Sequence, residues 1–310
     1  MAKIRLDTLL VERGHAASRE KARAIIMSGV VFVNNQRMDK PGATVAEDTQ
    51  PEVRGAVMPY VSRGGLKLEK ALDTFCVDAR DRCCIDCGAS TGGFTDCLLQ
   101  RGARFVYAVD VGYGQLDWKL RQDERVKVFE RTNIRHMIAD DLGEAPSLAV
   151  IDVSFISLRI VLPPVHALLT EEGETICLVK PQFEAGREHV GKKGVVRDPE
   201  IHKRVLERFL QDAKEAGFDI LALDFSPIKG PEGNIEYLAH LKKRRDEQDN
   251  CRGGLIQSAP HPETPNDKPN ICANCRGAHC APADSLHPDA QNHEYDIDTL
   301  VTRSHEMRKG

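Results

Sequence analysis

The chain has 310 residues, 41% of them hydrophobic, and sets 43 lysines and arginines against 47 aspartates and glutamates for a net charge of -4. That length supports a full α/β core with one or two smaller units, and the charge excludes a globally basic nucleic-acid coat, so any such contact must come from local patches. No apolar run is long enough to span a bilayer and no charged-then-apolar leader opens the chain, so the expectation is a soluble cytoplasmic protein with no membrane partner.

A small module is expected over residues 1–58. Leu6, Leu9, Leu10 and Val11 give a short apolar face, and Ser18 is placed to cap a helix running to Met27. On that helix Ala22, Ile25 and Ile26 turn inward while Arg19, Lys21 and Arg23 face out. Val30 to Val33, a turn at Asn34-Asn35 and Gln36 to Met38 complete a helix, helix, hairpin order. Between Met1 and Gly29 six basic residues (Lys3, Arg5, Arg13, Arg19, Lys21, Arg23) stand against three acids (Asp7, Glu12, Glu20), an excess that the whole-chain charge hides. The unit resembles the RNA-binding domain named for the fourth protein of the small ribosomal subunit, and the resemblance implies RNA contacts at Arg5, Arg19, Lys21 and Arg23. The bland alternative is a solvated helix face.

A bridge rich in Pro and acids is expected from Asp39 to Pro59. Ser62-Arg63-Gly64-Gly65 then reads as a helix entry, with Lys67 in the first turn among Leu66, Leu68, Ala71 and Leu72. Lys67 is either a functional lysine or a snorkelling surface one. The stretch that organises the chain follows: a short apolar strand from Cys83 ends at Asp86, and Gly88-Ala89-Ser90-Thr91-Gly92-Gly93 turns into a helix at Phe94. Glycines at 88, 92 and 93 let a ligand approach backbone N–H groups and a helix N-terminus. The spacing does not fit a pyrophosphate loop, and Asp86 suits an ammonium better than a phosphate, which points to S-adenosylmethionine. A second strand, Phe105 to Asp110, ends in an acid placed to bind a ribose hydroxyl pair.

Strand and helix patterns then alternate: strands near 126–129, 148–152, 175–179 and 220–225, helices near 159–169 and 199–217, and a seventh strand opening at Glu236. The expected fold class is therefore α/β, a Rossmann-like, mostly parallel sheet of seven strands, with the small α+β module in front of it. Ligands gather at the carboxyl ends of such strands, where Asp86, Asp110, Asp152 and Lys180 fall. Pro181 disfavours helical geometry at Lys180 and keeps it extended. Cysteines 76, 83, 84, 87, 97 and 177, six of the ten, are expected as reduced, buried thiols. Residues 59–245 are assigned to this domain. Residues 246–310 read as a mostly disordered tail with a short helix near Ile297, and its Cys272, Cys275 and Cys280 make a weak metal candidate without a second cysteine pair.

The motifs Ser62-Arg63-Gly64-Gly65-x-Lys67-Leu68, Asp86-x-Gly88-Ala89-Ser90-Thr91-Gly92-Gly93-Phe94-Thr95, Asp152-Val153-Ser154-Phe155, Val179-Lys180-Pro181-Gln182-Phe183-Glu184 and Gly233-Asn234-Ile235-Glu236 occur in this order. Together they resemble the TlyA (hemolysin A) family of rRNA 2′-O-methyltransferases, over residues 1 to about 243. The resemblance implies a class I methyltransferase sheet of FtsJ-like type, S-adenosylmethionine as cofactor, and ribosomal RNA or a ribosomal subunit as partner. It implies transfer to a ribose 2′-hydroxyl, of a cytidine, by a Lys67, Asp152, Lys180 and Glu236 tetrad, and a further RNA contact at Arg63. Cofactor contacts are expected at Asp86, Gly88, Ala89, Ser90, Gly92, Gly93, Phe94 and Asp110. A ribose hydroxyl is a poor nucleophile and needs a positioned base, and a lysine can serve only when neutral, a form that a neighbouring cation favours and a neighbouring carboxylate opposes. Lys180 is the expected base. Two rival classes are a non-catalytic RNA-binding protein on the same fold and a membrane-active hemolysin.

Overall fold

The computed structural model describes residues 3–27, 29–54, 58–230, 232–245 and 295–307. In the N-terminal module β1 (Lys3–Arg5) leads straight into α1 (Leu6–Glu12), and α2 (Arg19–Met27) packs against α1. Strand β2 (Val31–Val33) lies between β3 (Gln36–Met38) and β5 (Glu52–Val53), while β1 pairs with β4 (Thr44–Ala46). Asn34 and Asn35 carry φ values of 50° and 63°, the pair of left-handed residues that a two-residue hairpin requires. Leu6, Leu10, Ala22, Ile25, Ile26, Val31 and Val33 form the interior. The expected bridge from Asp39 to Pro59 in fact contributes β4 and β5; at three and two residues they are too short for alternation to register in sequence.

The second unit opens with α3 (Gly64–Thr74), followed by β6 (Cys83–Cys87), α4 (Gly93–Gln100), β7 (Phe105–Val109), α5 (Trp118–Arg121), β8 (Val126–Phe129) and β9 (Leu148–Ile151). It continues with α6 (Leu158–Leu168), β10 (Glu174–Val179), α7 (Pro181–Glu184), α8 (Pro199–Glu215), β11 (Phe218–Phe225) and β12 (Tyr237–Lys243). The strands form one seven-stranded sheet in the order β11-β12-β10-β9-β6-β7-β8. In this sheet β12 runs antiparallel to both its neighbours, because the connection from β11 through residues 226–236 holds no crossover helix among its described residues.

Successive strand residues face opposite sides, so the sheet feeds two cores. Ile85, Ile151, Val179 and Tyr237 pack with α6 and α8, while Cys84, Val150, Leu178 and Leu238 pack with α3 and α4. Five of the six named cysteines are buried as expected; Cys76 is exposed, because it lies just past the end of α3 with φ 54° in a left-handed turn. Burial pushes the Cys83 thiol up to about 11. Glu236 lies one residue before its strand and not within it.

After residue 245 the description resumes at Tyr295, and α9 (Ile297–Glu306) packs on α8 and β11 with Val301 and Ser304 buried. Cys272, Cys275 and Cys280 lie outside the described residues. Among the described residues no helix is long and apolar enough to cross a membrane.

Candidate active site

Four charged side chains from distant parts of the chain meet at the carboxyl edge of the sheet. The first turn of α3 carries Lys67, which is 7% exposed and therefore not a snorkelling surface lysine. Its Nζ donates to Glu236 Oε2 at 2.6 Å and lies 3.7 Å from Asp152 Oδ2. Lys180 follows β10 with extended backbone (φ -110°, ψ 103°), and Pro181 at the first position of α7 favours that geometry. Its Nζ is 2.6 Å from Asp152 Oδ1, a close charge contact without hydrogen-bond alignment, and donates to Ser154 Oγ at 3.2 Å.

The result is a continuous chain, Glu236–Lys67–Asp152–Lys180, with two charges of each sign. Balanced pairing is what makes such burial tolerable, since any one member left alone would be an uncompensated charge. Asp152 is the most open of the four, its side chain 19% exposed, so the chain reaches solvent between the two lysines.

A shallow cleft opens beside this edge, lined by Ala89, Ser90, Asp110, Gly112, Gln115 and Glu130 among others. Asp110 accepts from the N–H of Ser90 at 2.7 Å and of Gly112 at 2.6 Å, one on each oxygen, and a second lone pair on each remains. Asp86 is fully buried. Its Oδ2 accepts from both the N–H and the hydroxyl of Thr95, at 2.9 and 2.7 Å, while Oδ1 is buried with no partner. Burial above all, opposed by the Thr95 hydroxyl and assisted by the Asp152 charge, raises its carboxyl to about 7.

Of the expected cofactor residues, Ala89, Ser90 and Asp110 line the cleft. Gly92, Gly93 and Phe94 also have close packing neighbours. A side chain at Gly92 would strike Leu116 and Leu120, one at Gly93 would strike Ser62 and the start of α3, and the Phe94 ring lies in the core. Gly88 is closely packed as well: with φ 90°, a Cβ there would lie 2.7 Å from the Asp152 carbonyl oxygen. Its missing side chain thus lets the glycine turn press against Asp152, coupling the cleft to the charged chain.

Of the expected RNA residues, Lys21, Arg23 and Arg63 are exposed. Arg5 and Arg19 are shared with structure: Asp7, fully buried, accepts Arg5 at 2.8 and 3.0 Å and Arg19 at 3.3 Å, which holds its carboxyl far below the usual range. Arg63 reaches the Lys229 carbonyl at 3.4 Å, beside the turn that delivers Glu236.

Sequence reasoning assigned no role to Phe155. It stands three residues after Asp152 with φ 63° and 92% of its surface exposed, its ring 5.1 Å from that of Phe183. A left-handed, solvent-exposed phenylalanine is an expensive arrangement. No pattern of apolar spacing distinguishes it from a core residue.

A family model described as FtsJ-like methyltransferase matches residues 60–243, and an S4 domain model matches residues 4–50. The provisionally named rRNA methyltransferase YqxC of Bacillus subtilis is 57% identical over 240 residues, 77% of this chain and 85% of its own length. The 16S/23S rRNA (cytidine-2′-O)-methyltransferase TlyA of Mycobacterium tuberculosis is 42% identical over 258 residues, 83% of this chain and 96% of its own. A solved structure from Streptococcus thermophilus, provisionally named a hemolysin, superposes with a TM-score of 0.68 at 42% identity, covering 100% of this chain and 98% of that one.

Proposed function

The chain belongs to the FtsJ-like methyltransferase family, and from that premise we propose that it transfers a methyl group from S-adenosylmethionine to a ribose 2′-hydroxyl, of a cytidine, in ribosomal RNA. The observation that carries the reading is the buried Glu236–Lys67–Asp152–Lys180 chain, pressed through Gly88 against the wall of the neighbouring cleft. The residues fit the cofactor: Asp86 Oδ1 is a buried acceptor awaiting a donor, and Asp110 retains lone pairs for a hydroxyl pair. When bound, the cofactor supplies an electrophilic methyl on a sulfonium.

Lys180 Nζ is the group placed to take the proton of the 2′-hydroxyl as that oxygen forms its new bond to the methyl carbon and the carbon–sulfur bond breaks, leaving a neutral thioether. Asp152 Oδ1 then faces the resulting ammonium at 2.6 Å and stabilises it. Lys67, held by Glu236 at 2.6 Å, lies 3.7 Å from Asp152 and so shares that carboxylate with Lys180. Ser154 fixes the lysine's direction through its hydroxyl. The exposed Phe155 ring offers a face for a nucleobase, worth about 1–3 kcal/mol in stacking. The N-terminal module supplies basic side chains to the RNA backbone.

The test is transfer of labelled methyl to purified ribosomal subunits, with leakage of lipid vesicles measured on the same preparation. Transfer without leakage is expected. Leakage without transfer would replace this reading with a membrane-active one.

A further inference from the structure

The proposed chemistry does not account for a second buried polar chain, which starts at the residue after Glu236 and ends in the C-terminal helix. Tyr237, His202 and Ser304 are all 0% exposed. Tyr237 Oη lies 2.9 Å from His202 Nδ1 and 3.1 Å from Ser304 Oγ. His202 Nε2 lies 3.1 Å from the Val196 carbonyl. A carbonyl can only accept, so Nε2 carries a proton; with a single ring proton Nδ1 is then the acceptor and the tyrosine hydroxyl donates to it, while the one proton of Ser304 faces both Tyr237 Oη and the Val301 carbonyl at 2.8 Å. Burial lifts the Tyr237 hydroxyl to about 12, so it stays protonated for that role.

The chain continues beyond His202. Val196 N–H donates to Asn234 Oδ1 at 3.1 Å, and Asn234 Nδ2 donates to the Gly194 carbonyl at 2.9 Å. Gly230 N–H donates to the Asn234 carbonyl at 2.9 Å, and Ser226 N–H donates to the Glu236 carbonyl at 2.8 Å. A Cβ on Gly230 would lie 2.6 Å from Glu236 Oε1, so the turn presses directly on the carboxylate. On the other limb of the turn, the Arg303 guanidinium of α9 lies 5.8 Å over the Phe225 ring at the end of β11. Helix α9 therefore holds both strands that flank the turn, although the segment 246–294 separates it from them in sequence.

Glu236 and Tyr237 are neighbours on the chain at the start of β12, so a shift of the backbone there moves both side chains together. Resting on the methyltransferase reading above, we propose that Tyr237, His202 and Ser304 are positioning residues for the tetrad, and that docking of α9 sets the Glu236–Lys67 contact. None of the three touches the reacting groups. Their effect is exerted through the backbone at 236–237.

The experiment uses the full chain carrying Tyr237→Phe, Ser304→Ala or, as comparator, Lys203→Ala, which removes only the 2.7 Å ion pair of α8 with Asp298 at the exposed edge of α9. Single-turnover methyl transfer is measured at saturating subunit and cofactor, with active sites counted by cofactor binding, alongside amide exchange at Val196 and Ser226. The expected result is a rate about tenfold lower in Tyr237→Phe and Ser304→Ala, the scale of one lost hydrogen bond, at unchanged cofactor and RNA affinity, with faster exchange at both amides. Lys203→Ala should match the unsubstituted protein. Equal rates and unchanged exchange in Tyr237→Phe and Ser304→Ala would overturn the proposal, as would a loss confined to binding affinity. A protein that transfers no methyl before substitution would refute the methyltransferase reading instead, while the exchange measurement would still decide whether the chain braces the turn.

Discussion

Replacing Lys180 by arginine separates the two things a lysine can do beside Asp152. Arginine keeps the positive charge and can still meet the carboxylate that Lys180 contacts at 2.6 Å, but it does not give up a proton at accessible pH. The ion pair with Asp152 should therefore survive, and with it the stability that its loss would cost. The hydrogen bond to Ser154 Oγ, 3.2 Å in length, is the contact most exposed to the change of shape, worth about 1 kcal/mol. General-base catalysis is worth about 10²- to 10⁴-fold, or roughly 3–5 kcal/mol of barrier at 1.36 kcal/mol per factor of ten. Single-turnover transfer at saturating cofactor and RNA should fall by at least about 10²-fold. Cofactor affinity and melting temperature should stay near those of the unsubstituted protein. Retention of near-normal transfer by Lys180→Arg would show that the group acts as a charge, leaving rate enhancement to the positioning of the hydroxyl beside the sulfonium.

The remaining predictions concern the cofactor, the base and the RNA. Asp86, raised to about 7 by burial, is neutral below that pH and anionic above it, so affinity for a ligand bearing an ammonium should strengthen as pH rises from about 5.5 to 7, before an α-ammonium begins to lose its own proton; calorimetry showing no pH dependence there would contradict its role. Phe155→Ala removes an exposed ring and should leave melting and cofactor binding intact while lowering transfer by about 10- to 100-fold, the scale of one lost base stack. Unchanged transfer would remove the ring from the RNA site. Substituting both Lys21 and Arg23 by alanine should reduce the slope of log affinity against log salt by roughly 2 if each neutralises one phosphate; an unchanged slope would place the RNA elsewhere.

The alternation of strand and helix patterns along the chain, the proline after Lys180 and the acids near the carboxyl ends of β6 and β7 are local patterns, and from them the α/β sheet could be read in the sequence. The four residues of the charged chain were also legible, through motifs in fixed order, although their contacts were not. Lys67 and Glu236 are 169 residues apart, and no local periodicity reports a pairing of that range. Other features were hidden for distinct reasons. A glycine shows that space is needed but not for what, so the sequence at Gly88 gave no sign of the close approach to the Asp152 backbone. A net basic count does not reveal that Arg5 and Arg19 are committed to buried Asp7. Ser304, polar and in a short terminal helix, carries no sign of its contact with Tyr237.

The central claim is that the methyl group goes to ribose oxygen in ribosomal RNA. It is tested most directly by incubating the protein with ribosomal subunits and methyl-labelled S-adenosylmethionine, then digesting the RNA to nucleosides. Label is expected in a 2′-O-methylcytidine whose neighbouring phosphodiester resists alkali, because the methylated oxygen can no longer attack it, and Lys180→Arg should abolish most of that label. Label on a base, or RNA left unlabelled while the cofactor binds, would contradict it.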